Sequence, residues 1–310
     1  MTDRAKIDGA LSLYIQKLRE AGADLHGLLL LKGDALEKSY FSEGHAPDEL
    51  HPMYSIAKSM VSIAIGLLAD EGRLKLSDRI ADHFPEYVPD NADPMILKMT
   101  IRDLLMMRTC HCKTTYKADL SKNWAQSFFI TPPDHEPGTS FHYDTSAAHV
   151  LGALVEKFTG EELWTYFTGK LSPLSFSGGA HLTKDPFGVS DGGSGLVCTI
   201  EDLAEFSRLI RGSGSVCGRR ILSPAYLKEA LSNLTDVSSS SVTPGRSIGY
   251  GYCFWISEIG APMCFGMNGQ FIIFCPDKDC TLITTADASK DKKLPGLIPD
   301  LFFEILYPVL

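Results

Sequence analysis

The run from Ile56 to Ala69 constrains this chain more than any other stretch: it is apolar on nearly every side, and its one charged residue is Lys58. A segment of that kind reads as a helix buried on all faces. Burial disfavours an ammonium, so Lys58 is expected to hold its proton weakly and become available as a base. Ser55 stands three residues earlier on the same helical face, within reach of the lysine. In the first turn it would also lie near free N–H groups and the positive end of the helix dipole, which favour developing negative charge. The pattern reads as a serine nucleophile with a lysine proton partner. Ser-x-x-Lys arises by chance about once in a chain this long, and a snorkelling lysine at a helix start is the alternative, so the rest of the chain must decide.

A chain of 310 residues, 44% hydrophobic and 22% charged, is an ordinary soluble globular protein with an ample core and no long disordered stretch. A net charge of -9 and the lack of a Lys/Arg cluster argue against nucleic acid as a partner and against attraction to anionic membranes. No apolar run reaches transmembrane length, and the start, Met1 to Lys6, carries no apolar signal core. Eight scattered cysteines then suggest reduced thiols and a cytoplasmic protein. Cys110-His111-Cys112 is the only cluster that hints at a metal. Zinc sites usually space paired cysteines by about two to four residues and need a second pair, so these cysteines are expected to be small buried apolar groups. Neither a metal nor a cofactor is expected.

Ile7, Leu11, Tyr14, Ile15 and Leu18 recur at helical spacing, predicting a helix over about 4–20. Leu28–Leu31 and Leu36–Phe41 read as a hairpin, the leucine run as a strand covered on both faces. The apolar helix is expected to stop near Glu71-Gly72. From Ser77 to about Thr235 the chain reads as mostly helical, with capping-type starts at Ser77-Asp78 and at Thr100 to Asp103. Residues 113–140 read as a long irregular segment, and Gly192-Gly193-Ser194-Gly195 as a tight turn or cleft wall before a capped helix at Thr199. A surface loop at Ser238–Ser241 precedes candidate strands at Tyr250–Ile256, Gln270–Phe274 and Thr281–Thr285, then a closing amphipathic helix from Ile298 to Leu306.

Three stretches carry the chemistry: Ser55-Ile56-Ala57-Lys58, then Pro137 to Ser146 around Tyr143, then Gly266-Met267-Asn268-Gly269-Gln270-Phe271. Their order and separation resemble the serine β-lactamase and penicillin-recognising superfamily, on the side of class C β-lactamases and related esterases. Ala69 to Asp78 with Phe84-Pro85-Glu86, Thr100 to Leu105, and Gly192 to Leu196 are similar to further family segments. The resemblance thus covers almost the whole chain.

It implies that Ser55 is the acylated nucleophile, Lys58 its proton partner, and Tyr143 the group that passes the proton to the leaving group. It also implies an oxyanion hole from the backbone N–H groups of Ser55 and Gln270, with Thr145, Met267, Asn268 and Gly269 lining the substrate site. Thr145 stands where the family usually has asparagine, and Met267 where lactamases and peptidases carry Lys or His. The cation that meets a β-lactam or peptide carboxylate is therefore missing from that position. His142, Asp144 and His149 flank the tyrosine; they either tune its proton or are polar surface residues, and the second reading is favoured.

The expected architecture is α/β (α+β), a single β-lactamase-related catalytic domain over 1–310. A mixed, mainly antiparallel five-stranded sheet comes from about 1–50 and 245–310, and a helical lobe is inserted at about 60–240. The expected activity is serine hydrolysis of a small-molecule ester or amide. The alternatives are a β-lactamase or D-alanyl-D-alanine carboxypeptidase, and a non-catalytic protein that binds an acyl group or peptide.

Overall fold

The computed structural model describes residues 3–238, 240 and 242–310. Met1 and Thr2, and Ser239 and Ser241 of the expected surface loop, lie outside them. Helix α1 (Asp3–Ala21) leads into β1 (Asp24–Lys32) and β2 (Ala35–Phe41), then β3 (His51–Tyr54) and α2 (Ile56–Asp70). Next come α3 (Pro94–Lys98), α4 (Ile101–Leu105), α5 (Trp124–Ile130), α6 (Thr145–Thr159) and α7 (Leu163–Lys170). Strands β4 (His181–Leu182) and β5 (Leu196–Cys198) precede α8 (Ile200–Arg211), the small hairpin of β6 (Ser215–Val216) and β7 (Arg219–Arg220), and α9 (Pro224–Ala230). The chain closes with β8 (Thr235–Asp236), β9 (Ser247–Tyr250), β10 (Trp255–Ser257), β11 (Pro262–Gly266), β12 (Gln270–Cys275), β13 (Cys280–Asp287) and α10 (Leu294–Leu301).

The main sheet has eight strands in the order β2-β1-β13-β12-β11-β10-β9-β8, with every pair antiparallel. The α/β class stands, but the sheet is larger than the expected five strands and not mixed. Of the three extra strands, β8 is a two-residue strand paired to β9, and two local features account for the others. The apolar run Tyr250–Ile256 is not one strand: Cys253 adopts a φ of 60°, and the Gly251 N–H bonds the Phe254 carbonyl, so β9 turns back into β10. Strand β11 opens with Pro262, a residue that argues against a strand interior but is tolerated at a first position.

Leu28–Leu31 of β1 are all buried, as a doubly covered strand requires, and both α1 and α8 pack against the strand. The Tyr14 hydroxyl ties α1 to the Ile298 carbonyl of α10 at 3.1 Å. Thr100 and Thr199 form capping boxes with Asp103 and Asp202, whereas Ser77-Asp78 starts no α-helix: Asp78 closes a turn on the Lys75 N–H ahead of a single 3-10 turn at Ile80–His83. The segment read as irregular over 113–140 contains α5.

Every residue of α2 from Ile56 to Leu68 is buried. Its polar side chains are satisfied internally, Ser59 on the Cys253 carbonyl at 2.8 Å and Ser62 with the Tyr226 hydroxyl at 3.1 Å. Gly66 lets Tyr226 lie flush on the helix, since a Cβ there would sit 2.5 Å from the ring. Gly66→Ala should therefore destabilise the fold by about 1–3 kcal/mol in urea melts, the overpacking outweighing the gain of about 1 kcal/mol in helix propensity. A stabilised variant would show that the ring is not held against the helix.

Candidate active site

Ser55 is the N-cap residue of α2, yet its side chain makes no capping bond, so the hydroxyl is left for another partner. That partner is Lys58, one turn on and 1% exposed. Its Nζ lies 2.8 Å from Ser55 Oγ, 2.6 Å from the Gly193 carbonyl oxygen and 3.4 Å from Thr145 Oγ1. The arithmetic of these contacts matters. An ammonium can donate one N–H to each oxygen, whereas a neutral amine can give its two N–H groups to Gly193 and Thr145 and turn its lone pair to the serine proton. Burial pushes the lysine down to about 8, against the opposing charges of Asp191, Cys253 and Asp144.

Gly193 reaches the lysine through the small sheet β3-β5-β4, in which Tyr54 pairs with Leu196. The turn before β5 is wound on Asp191, whose carboxylate accepts from the N–H groups of Gly193 and Ser194 and from the Ser194 hydroxyl. Only glycine fits there, because a Cβ on Gly193 would lie 2.5 Å from Thr145 Cγ2 and 2.7 Å from the Thr145 carbonyl. Behind this turn His149 is fully buried, its Nε2 3.3 Å from Asp185 Oδ2 and its Nδ1 4.0 Å from Asp191 Oδ1. Burial lifts the Asp185 carboxyl, but the nearby His149 ring and the N–H groups of Val189 and Phe187, which donate to Oδ1, bring it below its usual range.

Tyr143 directly precedes the Asp144 N-cap of α6. Its half-buried ring stacks on Trp255 at 5.4 Å, meets Tyr250 edge-on, and has Lys58 Nζ 4.9 Å from its centroid. Burial raises the phenol well above its ordinary value, with a hydrogen bond to Ser55 pulling the other way. His142 is half-buried, but Asp144 and His149 are not the surface residues the sequence suggested. Asp144 is fully buried and accepts from the Ser146 N–H and hydroxyl, and burial raises its carboxyl to about 6. Two polar residues at one end of an amphipathic helix look solvated until the helix proves to be buried at that end.

Met267, Asn268 and Gly269 form the turn between β11 and β12, with Gly266 paired to Gln270. Gly266 packs so closely on β3 that a Cβ would lie 2.2 Å from the Met53 carbonyl, two residues before Ser55. This contact carries the third stretch up to the first. The Gln270 side chain is tied to the Ala286 carbonyl at 2.6 Å, the Asn268 carbonyl accepts from the Ala288 N–H, and Met267 is 55% exposed.

Four non-glycine residues around this constellation have left-handed backbone: Tyr54 (φ 48°), Met107 (φ 55°), Cys253 (φ 60°) and Asn268 (φ 66°). Each abuts a site element. Tyr54 precedes Ser55, the Met107 carbonyl accepts from the His142 N–H, the Cys253 carbonyl accepts from Ser59, and Asn268 shapes the third turn. A cavity of about 590 Å³ opens beside Tyr143, walled by Lys113, Thr114, Lys117, Thr131 and Asp134. Sequence reading missed the roles of Gly193 and Asp191; the glycine cluster was the available signal, and its carbonyl could not be aimed without the β3-β5 pairing.

The beta-lactamase family profile matches residues 31–296. The 6-aminohexanoate-dimer hydrolase of Paenarthrobacter ureafaciens is 28% identical over 298 residues, covering 86% of this chain and 73% of that protein. Among solved structures, EstCE1, a hydrolase with promiscuous acyltransferase activity, superposes with a TM-score of 0.75 at 17% identity, over 97% of this chain and 98% of that one. The octameric penicillin-binding protein homologue from Pyrococcus abyssi gives 0.71 at 20% identity, over 97% and 77%. With the profile spanning most of its length, this chain belongs to the beta-lactamase family.

Proposed function

We propose that this serine hydrolase cleaves a carboxylic ester or amide through an acyl-enzyme on Ser55, working as one catalytic unit over 1–310. The observation that carries the reading is the buried Lys58 amine within 2.8 Å of a serine hydroxyl that has no capping duty. Lys58 takes the Ser55 proton as the oxygen attacks the carbonyl, and Tyr143 hands a proton to the leaving group. The backbone N–H groups of Ser55 and Gln270 hold the oxyanion, and Met267, Asn268 and Gly269 edge the substrate cleft. Water then releases the acyl group. Thr145 supplies the second acceptor for Lys58 and so helps set the direction of its lone pair.

The substrate reading is a linear amide or ester. The 28% identical relative is named for the dimer of 6-aminohexanoate, an amide with a carboxylate at one end. Position 267 offers no cation, but Lys113 and Lys117 line the cavity beside Tyr143, where their two positive charges outnumber the single carboxylate of Asp134. A substrate carboxylate directed there would be attracted without the lactamase-type clamp.

Intact-mass measurement with a short p-nitrophenyl ester should show a transient acyl adduct and turnover, and Ser55→Ala should lose both, with the rate falling about three orders of magnitude or more. Full activity in that variant would remove the mechanism. A lasting penicillin adduct on Ser55 would favour the penicillin-binding reading, and binding without turnover the non-catalytic one.

The pH dependence follows from Lys58. Its neutral form is the base and dominates above about 8, so kcat/KM for a neutral ester should rise with pH and reach half its plateau near pH 8. A flat profile from pH 6 to 10 would exclude Lys58 as the base. The double variant Lys113→Ala/Lys117→Ala should raise KM about threefold to tenfold for carboxylate-bearing amides and leave neutral esters unaffected. An equal change for both substrate types would mean these lysines do not select charge.

A further inference from the structure

Cys110, His111 and Cys112 part company in the fold. Cys110 and His111 are buried, while Cys112 turns outward to two histidines far along the chain. Cys112 Sγ lies 3.5 Å from His135 Nδ1 and 3.7 Å from His142 Nε2, and the two imidazole rings stand 4.6 Å apart at 52°. A tetrahedral zinc ion with Zn–S of about 2.3 Å and Zn–N of about 2.0–2.1 Å keeps its sulfur and nitrogen ligands about 3.6 Å apart. Both sulfur–nitrogen edges already have that length.

We propose that Cys112, His135 and His142 form a three-ligand site for a zinc ion. The donor set has the right softness, one thiolate with two imidazoles. The two loops that carry it are tied together before any ion arrives. The Cys112 N–H donates to Asp134 Oδ2 at 2.7 Å, the Asp134 N–H to the Cys110 carbonyl at 2.8 Å, and the His142 N–H to the Met107 carbonyl at 2.9 Å. His135 Nε2 is buried without a hydrogen-bond partner, so Nδ1 is the nitrogen turned to the sulfur. On binding, the Cys112 thiol gives its proton to solvent, and the thiolate and the two imidazoles each take the place of a coordinated water on the hydrated ion. Three protein ligands leave the fourth position to water. Because His142 precedes Tyr143, an occupied site would anchor the segment that presents the tyrosine.

A second histidine group, His26, His45 and His51, is less suited. His26 and His45 stack at 3.9 Å with rings 10° from parallel, so their in-plane lone pairs run side by side, and Glu49 already occupies His45 Nδ1. It serves as the internal control.

The test is zinc titration of the metal-free protein against a chromophoric chelator, with cobalt substitution as a spectroscopic readout. One equivalent should bind, and the cobalt form should show a thiolate-to-metal charge-transfer band. Cys112→Ser and His135→Ala should each weaken zinc binding about a hundredfold, and Cys112→Ser should also abolish the band, while His45→Ala leaves affinity and band intact. Circular dichroism of the variants separates lost binding from lost folding. Absence of zinc binding by the folded wild type, or binding and band unchanged in folded Cys112→Ser, would overturn the proposal.

Discussion

A primary amine held out of water is the constraint on which the rest of this site depends. Lys58 sits in the first turn of a buried helix whose other side chains are mostly apolar, and its position is tolerable only because three oxygen atoms surround the nitrogen. Those oxygens come from three separate parts of the chain: the N-cap of its own helix, the first turn of α6, and the glycine turn before β5. Placing them within reach of one nitrogen fixes the mutual position of α2, α6 and the small β3-β5-β4 sheet. Stability and chemistry are thus set by the same contacts, and neither can be altered alone.

The large sheet meets this arrangement through Tyr250 and Trp255, which pack on the Tyr143 ring, and through β11. Gly266, at the end of β11, touches the Met53 carbonyl, and through that contact the turn carrying Met267, Asn268 and Gly269 is brought beside Ser55. Every group invoked in the chemistry therefore stands on or beside a strand or helix rather than in a free loop. Rigid support of this kind limits the reorganisation left for the reaction itself.

Much of this was legible in the chain. The Ser55–Lys58 spacing, the capping boxes at Thr100 and Thr199, the doubly covered leucine strand and the ends of α2 all depend on neighbours within a few residues. What escaped depends on distant partners. Cys112, His135 and His142 are separated by 23 and 30 positions from the cysteine, so no spacing rule could gather them. Gly193 became a partner of Lys58 only through strand pairing, and His149 and Asp144 turned out buried because other elements close over α6. Strand β11 was hidden by Pro262, and the β9-β10 hairpin by an unbroken apolar run whose reversal rests on the backbone of Cys253.

The left-handed residues Tyr54, Met107, Cys253 and Asn268 bear on how this protein can change over generations. Such a conformation costs on the order of 1–3 kcal/mol for a residue with a side chain, and β-branched residues are the least able to adopt it. Valine, isoleucine and threonine are thus closed to these four positions, whereas glycine or asparagine would ease the backbone there. A drift toward glycine would make the fold cheaper to form while removing the stiffness that keeps the nucleophile, tyrosine and turn in register. Selection for thermal robustness alone would thus erode the site first at its frame.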